Sequence, residues 1–374
     1  MHILSLNYEF PPLGGGGGYV TKAINERLAK KGFKVDLVTT HYSGLKYEEV
    51  LNGARIFRVK SIRKKQATCE TPEMLSFVLS AIPFVLDLTK KNKYDVIHCH
   101  FAIPTGIVAY TVSKLRGLNY VVTAHGSDVP GHNPHRFTLE HKFTKPLLNM
   151  IMKRAKTVVT PSQNLRDSIH RKICADLPIK IIPNGIESDM FSLEKQRNNW
   201  ILMSGRLLEL KGFQYVLAAL KDTPLFDWEI HLAGDGPYRE KLEALAKEVN
   251  TKIVFHGWLP KGSEELKDLY EHSKIFILPS VVENAPISLL EAMNAELAVI
   301  TTKKTGCQEI AGDSALLVDP HDVDGIKDAI LKLAGDENLI KNYGEKARKH
   351  SIERFSWNSI VDNYLNVYKE ACKI

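Results

Sequence analysis

The stretch that decides the fold is residues 279–302, PSVVENAPISLLEAMNAELAVITT, which follow the apolar run IFIL at 275–278. The run at 275–278 predicts a buried strand, and the spacing of the apolar residues behind it predicts a helix that opens near Pro286. A second apolar run, 297–300, predicts the next strand. A strand, a loop, a helix and another strand in this order form the crossover unit of a parallel sheet, so the fold class is α/β.

Two carboxylates lie in this stretch, eight positions apart. Glu283 comes directly after the first strand, where open α/β sheets bind ligands. Glu291 lies about one and a half turns into the helix, whose cap we expect at Asn284 or Ala285. The unpaired N–H groups at the start of that helix suit a phosphate. The spacing alone leaves a second interpretation open, in which both carboxylates are ordinary solvated residues.

The composition is that of a soluble globular protein with room for two domains: 374 residues, 44% hydrophobic and 25% charged. The first residues predict a core strand and not a signal peptide. The longest apolar stretch, 74–88, is interrupted by polar residues and is shorter than the ~20 residues that span a bilayer. Five scattered cysteines without a Cys-x-x-Cys pair favour a reducing compartment and no structural zinc site.

The charge is divided unevenly along the chain. Residues 1–190 hold 27 Lys and Arg against 15 Asp and Glu, a net charge of +12, and residues 191–374 hold 23 against 28, a net charge of −5. The first half therefore either meets an anionic partner or uses its lysines for solubility. Basic residues also flank the apolar stretch 74–88, which fits a helix on an anionic membrane surface or an ordinary core helix.

Five glycines, 14–18, separate a first strand at 3–6 from a helix expected at 19–30. Glycines at this point let the backbone approach a ligand and direct N–H groups at an anion, although they would also suit a flexible loop. The run fits neither a dinucleotide fingerprint nor a Walker loop, because no acidic residue ends the second strand and no Gly-Lys-Ser/Thr follows.

Two further strands of the first half carry histidines. His98 and His100 share one face of the strand at 95–101, and without neighbouring acids they are better explained as structural or site-lining residues than as metal ligands. His125 ends the strand that begins at Tyr120, with Asp128 in the turn behind it, and a mobile loop is expected at 130–134.

A polar linker at 192–199 leads to a second set of strands. Arg206 and Lys211 lie in the turn after the first of these, where two cations could neutralise a diphosphate without a metal, or could be ordinary surface cations. A later strand, 229–233, leads into Gly234 and Asp235, and Asp235 could cap the next helix.

Taken together, these motifs resemble the large retaining GT-B glycosyltransferase family 4. The resemblance rests on Glu-x7-Glu followed by Leu-Leu-Glu-Ala-Met, on Gly-Arg-Leu…Lys-Gly at 205–212, on Ile-Pro-Asn-Gly-Ile at 182–186 and on Thr-x-His-Gly-x-Asp at 123–128. It covers nearly the whole chain. Glu296 and Ala298 stand where the family usually has Gly and Pro.

The resemblance implies two Rossmann-like, doubly wound domains facing across a cleft. Residues 1–190 would bind the acceptor and would be joined by the C-terminal helix 357–374, and residues 191–356 would bind the nucleotide-sugar. The implied reaction transfers a sugar from a UDP- or GDP-linked donor to a hydroxyl of a glycan or lipid-linked acceptor, with retained anomeric configuration. The resemblance implies no cofactor and no metal, no nucleic-acid partner, and a cytoplasmic location with an anionic membrane surface as a further partner.

The resemblance also assigns roles to residues. Arg206 and Lys211 would stabilise the leaving diphosphate, Glu283 and His125 would hold the donor sugar, and Glu291 would bind the ribose. The acceptor would meet Gly15 and Asp128, or Asp128 would orient His125. The other residues expected to bind the nucleotide-sugar are Gly16, Gly17, Gly234, Asp235, His256, Gly257, Asn284, Ala285, Pro286 and Ile287.

Two other functions remain open from the sequence. A nucleotide-sugar epimerase uses the same fold and needs no second substrate. A non-catalytic module that binds sugar or membrane is the second alternative, and the presence of both cations and both carboxylates counts against it. The sequence does not identify the base, the sugar or the acceptor.

Overall fold

The computed structural model describes residues 1–66, 68–130 and 138–372, so the mobile loop expected at 130–134 lies outside the described residues except for Pro130. The chain divides into two compact units. The first consists of Met1–Asn184 with Trp357–Ile374, and the second of Gly185–Ser356. The boundary predicted at residue 190 lies six residues after the one observed.

The first unit is built on an eight-stranded sheet with the order β3-β4-β2-β1-β5-β6-β7-β8. Neighbouring strands are parallel, except that β3 pairs with β4 antiparallel. Its strands are β1 His2–Leu6, β2 Lys34–Thr40, β3 Glu48–Leu51, β4 Ala54–Val59, β5 Val96–His100, β6 Tyr120–Thr123, β7 Thr157–Thr160 and β8 Ile179–Ile181.

In the described part of this unit, five helices connect the strands: α1 Gly16–Lys30, α2 Thr71–Lys91, α3 Thr105–Arg116, α4 Thr138–Arg154 and α5 Gln163–Lys172. The helix expected to start at Tyr19 instead begins at Gly16, with Gly15 at its N-cap, so three of the five glycines form its first turn. Their small size permits this, because the helix packs close to neighbouring loops at these positions.

Helix α2 differs most from the sequence expectation. It has 21 residues, not the 15 of the apolar stretch, and Pro83 lies inside it without ending it. Among the described residues it is the one helix long and apolar enough to cross a membrane by length and composition. The expectation that this segment is too short and too interrupted to do so was therefore wrong. Core helices of soluble proteins can have the same length and apolar composition as a membrane-spanning helix. One face of α2 packs in the core of the first unit.

The second unit has a six-stranded parallel sheet with the order β11-β10-β9-β12-β13-β14. Its strands are β9 Trp200–Ser204, β10 Glu229–Ala233, β11 Lys252–Gly257, β12 Ile275–Leu278, β13 Ala298–Thr302 and β14 Leu316–Val318. Its helices are α6 Phe213–Leu220, α7 Arg239–Ala246, α8 Glu264–His272, α9 Ile287–Asn294, α10 Gly306–Ala311, α11 Val323–Ala334 and α12 Glu337–Phe355.

Two predicted helix caps were wrong. Helix α9 has Pro286 at its N-cap, with φ −68° and ψ 125°, where Asn284 or Ala285 was expected. Proline already holds the φ value that a helix needs, while its extended ψ ends the loop, so the helix begins one residue after it. Helix α7 is preceded by Tyr238 at its N-cap, so Asp235 lies in the loop before it and does not cap it.

The final helix, α13 Trp357–Cys372, follows α12 and packs on the sheet of the first unit. Its buried face includes Tyr364 and Tyr368, and the Tyr368 hydroxyl lies 2.7 Å from Nδ1 of His98 in β5. This bond across 270 positions of the sequence fixes the chain terminus on the first sheet.

Both sheets are doubly wound, which confirms the predicted α/β class. The strand order reverses between β1 and β5 in the first sheet and between β9 and β12 in the second. At such a point the loops after the two strands leave in opposite directions and open a crevice at the carboxyl edge, where ligands bind in this type of fold.

Candidate functional site

The second unit brings three predicted site residues to the reversal point of its sheet. Arg206 and Lys211 follow β9, and Glu283 follows the adjacent strand β12. The Lys211 ammonium and the Glu283 carboxylate form an ion pair, with side chains only 15% and 11% exposed. Arg206 is exposed, and its guanidinium has no partner in the part of the chain that the structure describes. One cation is thus matched by a carboxylate and the other points to solvent.

The backbone holds this pair in place. Lys211 lies in a 3-10 turn, Glu209–Lys211, and the Val281 N–H donates to the Leu210 carbonyl at 2.8 Å, which ties that turn to the loop after β12. Gly212 ends the turn with φ +75°, and a Cβ there would lie 2.1 Å from the carbonyl oxygen of Pro279. Only glycine permits both the positive φ and this approach, so Gly212 allows the two loops to meet.

Glu291 is buried, so the interpretation of Glu291 as an exposed helix residue is excluded. Its side chain is 6% exposed, and Oε1 lies 3.0 Å from Nζ of Lys261. The Tyr270 hydroxyl donates to Oε2 at 3.2 Å. Burial beside this carboxylate raises the pKa of Tyr270 well above its ordinary value, so the phenol stays a donor. A carboxylate held by two side chains presents a fixed acceptor, as ribose hydroxyls require.

The residues that precede α9 lie beside Glu283. Asn284, Ala285 and Pro286 are buried, and Ile287 is half-buried at the first helical position. The Gly306 N–H donates to the Glu283 carbonyl at 2.9 Å, which joins this loop to the start of α10. The structure therefore keeps these residues near the ion pair, and their role in binding a nucleotide-sugar stays a prediction.

A second group of predicted residues lies where β10 and β11 end. The Gly234 N–H donates to the Gly257 carbonyl at 2.7 Å, and His256 Nε2 lies 2.9 Å from His231 Nδ1. Asp235 is exposed and accepts from the Gly236 N–H at 2.8 Å. Burial lowers the pKa of His231 to about 4 and also lowers the pKa of His256, so both rings are neutral near pH 7.

In the first unit the glycine loop meets His125. A Cβ built on Gly17 would lie 2.5 Å from Cζ of Phe101 and 3.5 Å from Cδ2 of His125. The rings of Phe101 and His125 have centroids 4.6 Å apart. Gly15, at the cap of α1, donates its N–H to Glu9 Oε2 at 3.3 Å. The carboxyl ends of β1, β5 and β6 thus converge here, as the strand order requires.

Three histidines of the first unit, His98, His100 and His125, form a neutral cluster. His100 Nδ1 lies 3.2 Å from His125 Nε2, and His98 Nε2 lies 2.8 Å from Thr123 Oγ1. Burial lowers the pKa of His125 to about 4 and that of His98 to about 3, and it lowers the pKa of His100 well below its ordinary value. A neutral His125 can donate one hydrogen bond and accept another, which suits a sugar hydroxyl.

Asp128 holds the turn that carries His125. Its Oδ2 accepts the Ala102 N–H at 2.6 Å, and its Oδ1 accepts the N–H groups of His125 and Gly126 at 3.1 and 3.0 Å. Burial raises the pKa of this carboxyl, and the three backbone donors oppose that rise. The geometry favours the orienting role for Asp128 over direct contact with an acceptor.

Sequence reasoning missed Lys261, Tyr270 and Phe101 as neighbours of the candidate site. Lys261 lies in a loop and Tyr270 on α8, and neither carries a pattern that links it to Glu291. Phe101 directly follows the strand with the two histidines, so its position at a strand end was the available signal. Within the described ranges, no group of three or more His, Cys, Asp or Glu side chains could hold a metal ion.

Two family models match the chain, one for each unit. The model described as Glycosyltransferase Family 4 matches residues 14–190, and the model described as Glycosyl transferases group 1 matches residues 186–350. Together they include the glycine loop, His125, Arg206, Lys211 and both carboxylates.

Characterised relatives align over nearly their whole length. The D-inositol 3-phosphate glycosyltransferase of Corynebacterium jeikeium is 29% identical, over 99% of this chain and 95% of the relative. The N-acetyl-alpha-D-glucosaminyl L-malate synthase of Bacillus anthracis is 25% identical, over 97% and 96%. Among solved structures, the sucrose-phosphate synthase of Thermosynechococcus elongatus matches with a TM-score of 0.85 and 20% identity over 98% of each chain, which shows a shared GT-B fold.

Proposed function

Because the chain belongs to glycosyltransferase family 4, and is a glycosyltransferase with two Rossmann-like domains, we propose that its donor is a nucleoside-diphosphate sugar and that it transfers the sugar with retained anomeric configuration. The observation that carries this proposal is the cation pair Arg206 and Lys211 at the reversal point of the second sheet, with Glu283 beside Lys211. Negative charge grows on the diphosphate as the sugar leaves, and fixed cations stabilise it.

The Lys211–Glu283 ion pair suggests how donor binding works. In the free protein the two charges neutralise each other, so each is kept in a defined position without donor. When the donor enters, a phosphate oxygen competes with Glu283 for the Lys211 ammonium, and the carboxylate becomes available to accept from sugar hydroxyls. Arg206, which is exposed, supplies a planar fork for a second phosphate oxygen.

The remaining roles follow the same chemistry. Glu291, held by Lys261 and Tyr270, would accept from the two ribose hydroxyls. His125 is neutral because burial keeps its pKa near 4, so it would exchange hydrogen bonds with the sugar and would not act as a cation. Retention would proceed by front-side attack guided by the departing phosphate, since no carboxylate is assigned to the opposite face of the sugar.

The acceptor is proposed as a hydroxyl of a glycan or lipid-linked molecule, in line with the net charge of +12 on residues 1–190. The two relatives are named for L-malate and for D-inositol 3-phosphate, and both of these molecules carry anionic groups. We therefore propose that the acceptor of this chain also carries an anionic group. We propose a cytoplasmic location, which the five free cysteines support, with peripheral binding to a membrane.

A screen followed by product analysis tests the proposal. Thermal shifts with a panel of UDP- and GDP-linked sugars identify the donor, because a ligand that binds only the native state raises the melting temperature. Proton NMR of the product then reports the anomeric configuration, and addition of EDTA tests whether a metal is needed. Inversion of configuration, or the absence of any nucleotide-sugar shift, would overturn the respective part of the proposal.

The epimerase and the non-catalytic module are not favoured, because both family models describe transferases. Incubation with labelled nucleotide-sugar and no acceptor distinguishes an epimerase from a transferase. An epimerase would convert the donor to its epimer until the two reach their equilibrium ratio, whereas a transferase leaves the donor intact or hydrolyses it slowly.

A further inference from the structure

Helix α2 of the first unit has an apolar outer face. Its buried residues, among them Phe77, Ala81 and Val85, face the core. The opposite side carries the exposed residues Leu75 and Leu79, one turn apart, and Ile82 and Leu86 lie along its edge, partly buried against the core. Leu75 and Leu79 are 58% and 67% exposed. A helix that merely covers a core presents polar residues on this side, so core packing does not explain the pattern.

The segment before α2 extends this face. The Ile62 N–H donates to Ser76 Oγ at 2.8 Å, which places Ile62 against the helix beside Leu75. Ile62 is itself 57% exposed. We call the surface formed by Ile62, Leu75 and Leu79, together with the half-buried edges of Ile82 and Leu86, the apolar ridge.

Cations lie at both ends of the apolar ridge. At one end the Lys64 N–H donates to Glu73 Oε1 at 2.6 Å, which holds Lys64 and the adjoining Lys65 against the first turn of α2. At the other end Arg116 donates to the Leu86 carbonyl at 3.3 Å, and Lys90 lies in the last turn.

The acidic residues of the helix are already engaged. Glu70 and Glu73 form a capping box with backbone N–H groups, and Asp87 pairs with Lys91 at 2.7 Å. Lys64, Lys65 and Lys90 form no ion pair with any residue that the structure describes. The rim of the apolar ridge is therefore positively charged.

We propose that the apolar ridge docks on an anionic lipid bilayer, with α2 lying in the plane of the interface. Exposed leucines enter the boundary between head groups and acyl chains, and lysines at the rim meet anionic head groups. A spanning orientation would require the face that carries Phe77 and Val85 to leave the core of the first unit. A second copy of the chain is a poorer occupant, because it would bring two positive rims together.

This inference rests on the peripheral membrane binding proposed above and names the surface that carries it. It does not depend on the proposed sugar transfer, since no donor or acceptor takes part. The test measures co-sedimentation of the full chain with two kinds of vesicle, phosphatidylcholine alone and phosphatidylcholine with about one third phosphatidylglycerol. We expect binding to the anionic vesicles, weakened by salt, and at least about tenfold weaker partition into the neutral ones.

Variants then test whether the apolar ridge is the surface that binds the vesicles. The pair Leu75→Glu and Leu79→Glu should lower partition into anionic vesicles at least about tenfold, because the ridge loses apolar area and gains repulsion. The matched control is Phe226→Glu in the second unit, a position 82% exposed, which should bind like the parent chain. Circular dichroism checks folding, and Lys64→Glu with Lys65→Glu gives a second, independent variant if the first does not fold.

Three outcomes would overturn the proposal. The first is that the parent chain does not sediment with anionic vesicles, and the second is that the leucine and lysine variants bind as well as the parent. The third is that light scattering detects a dimer that dissociates in the leucine variant while vesicle binding is absent, which would assign the ridge to a second copy.

Discussion

The Lys211 ammonium and the Glu283 carboxylate form a nearly buried ion pair, although the two residues lie 72 positions apart in the chain. They meet because β9 and β12 are neighbours at the point where the strand order reverses. A partly buried charge without its partner is costly, so each residue holds the other in the absence of donor. This mutual support makes the pair sensitive to changes at either position.

Lys211→Ala should lower kcat by about 100-fold, the scale on which one transition-state donor is lost. Arg206→Ala should have a similar effect on kcat but less effect on stability, because Arg206 is exposed and Lys211 is not. Initial rates at saturating donor measure kcat, and thermal unfolding measures the stability of the two variants. The matched control is Lys221→Ala, which removes an exposed lysine paired with Glu248 in the same unit and should leave kcat unchanged. Near-normal turnover in both site variants would contradict the proposal that Arg206 and Lys211 stabilise the leaving diphosphate.

Glu291→Gln should weaken nucleotide binding by about 10- to 100-fold, because hydrogen bonds to a charged acceptor contribute about 1.5–3 kcal/mol. Titration calorimetry with the free nucleoside diphosphate measures this directly. Tyr270→Phe removes a donor to the same carboxylate at 3.2 Å and should have a smaller effect in the same direction. A deoxyribose nucleotide supplies the check: if Glu291 binds the ribose, the Gln variant should discriminate less between ribose and deoxyribose. Unchanged discrimination would contradict the ribose role.

Local patterns in the sequence predicted much of the fold. The strands 229–233 and 275–278 agree with the structure to the residue. These elements are buried parallel strands, which leave a strong local signal. The antiparallel edge strand β3, Glu48–Leu51, was missed because its half-exposed Glu-Glu-Val-Leu carries no such signal.

The sequence proposed residues for the candidate site one by one, but it did not predict their contacts. The sequence placed Glu283, Glu291 and His125 after or near strand ends, which follows from how parallel sheets bind ligands. It did not indicate that Lys261 pairs with Glu291, or that Asp128 is occupied by three backbone N–H groups. Such partners are determined by tertiary packing between distant segments, which no local pattern encodes.

Stability should fall as the pH falls below about 6.5, because buried neutral histidines take up protons only when the chain unfolds. Burial lowers the pKa of His98 from 6.5 to about 3 and that of His125 to about 4. Between these values and pH 6.5 the unfolded chain binds more protons than the folded one. The contribution of these histidines is therefore fully present above pH 6.5 and is lost as the pH drops towards 4.

Urea unfolding at about pH 7 and about pH 5 tests this expectation. The free energy of unfolding should fall by up to about 1.4 kcal/mol per pH unit for each of these histidines. His98→Gln should lower the free energy of unfolding at pH 7 but should make it depend less steeply on pH. His321→Gln, at an exposed position of the second unit, serves as the control and should keep the steep dependence. Equal slopes in the parent and the His98 variant would show that this cluster does not carry the effect.

Gly17→Ala should reduce transfer by displacing the aromatic ring that supports His125. The new methyl would lie 2.5 Å from Cζ of Phe101, a distance that forces the ring to move. Because the Phe101 and His125 rings are in contact, the shift would pass to the imidazole, and misplacement by about 1 Å can cost about 100-fold in rate. Overpacking of this kind should also lower stability by about 1–3 kcal/mol.

Phe101→Leu in the same chain removes the obstructing ring atoms, so the double variant should recover part of the lost stability. Activity should return together with stability only if His125 regains its position. Measuring kcat/KM of the single and the double variant therefore distinguishes a loss of packing from a loss of the contact between His125 and the sugar.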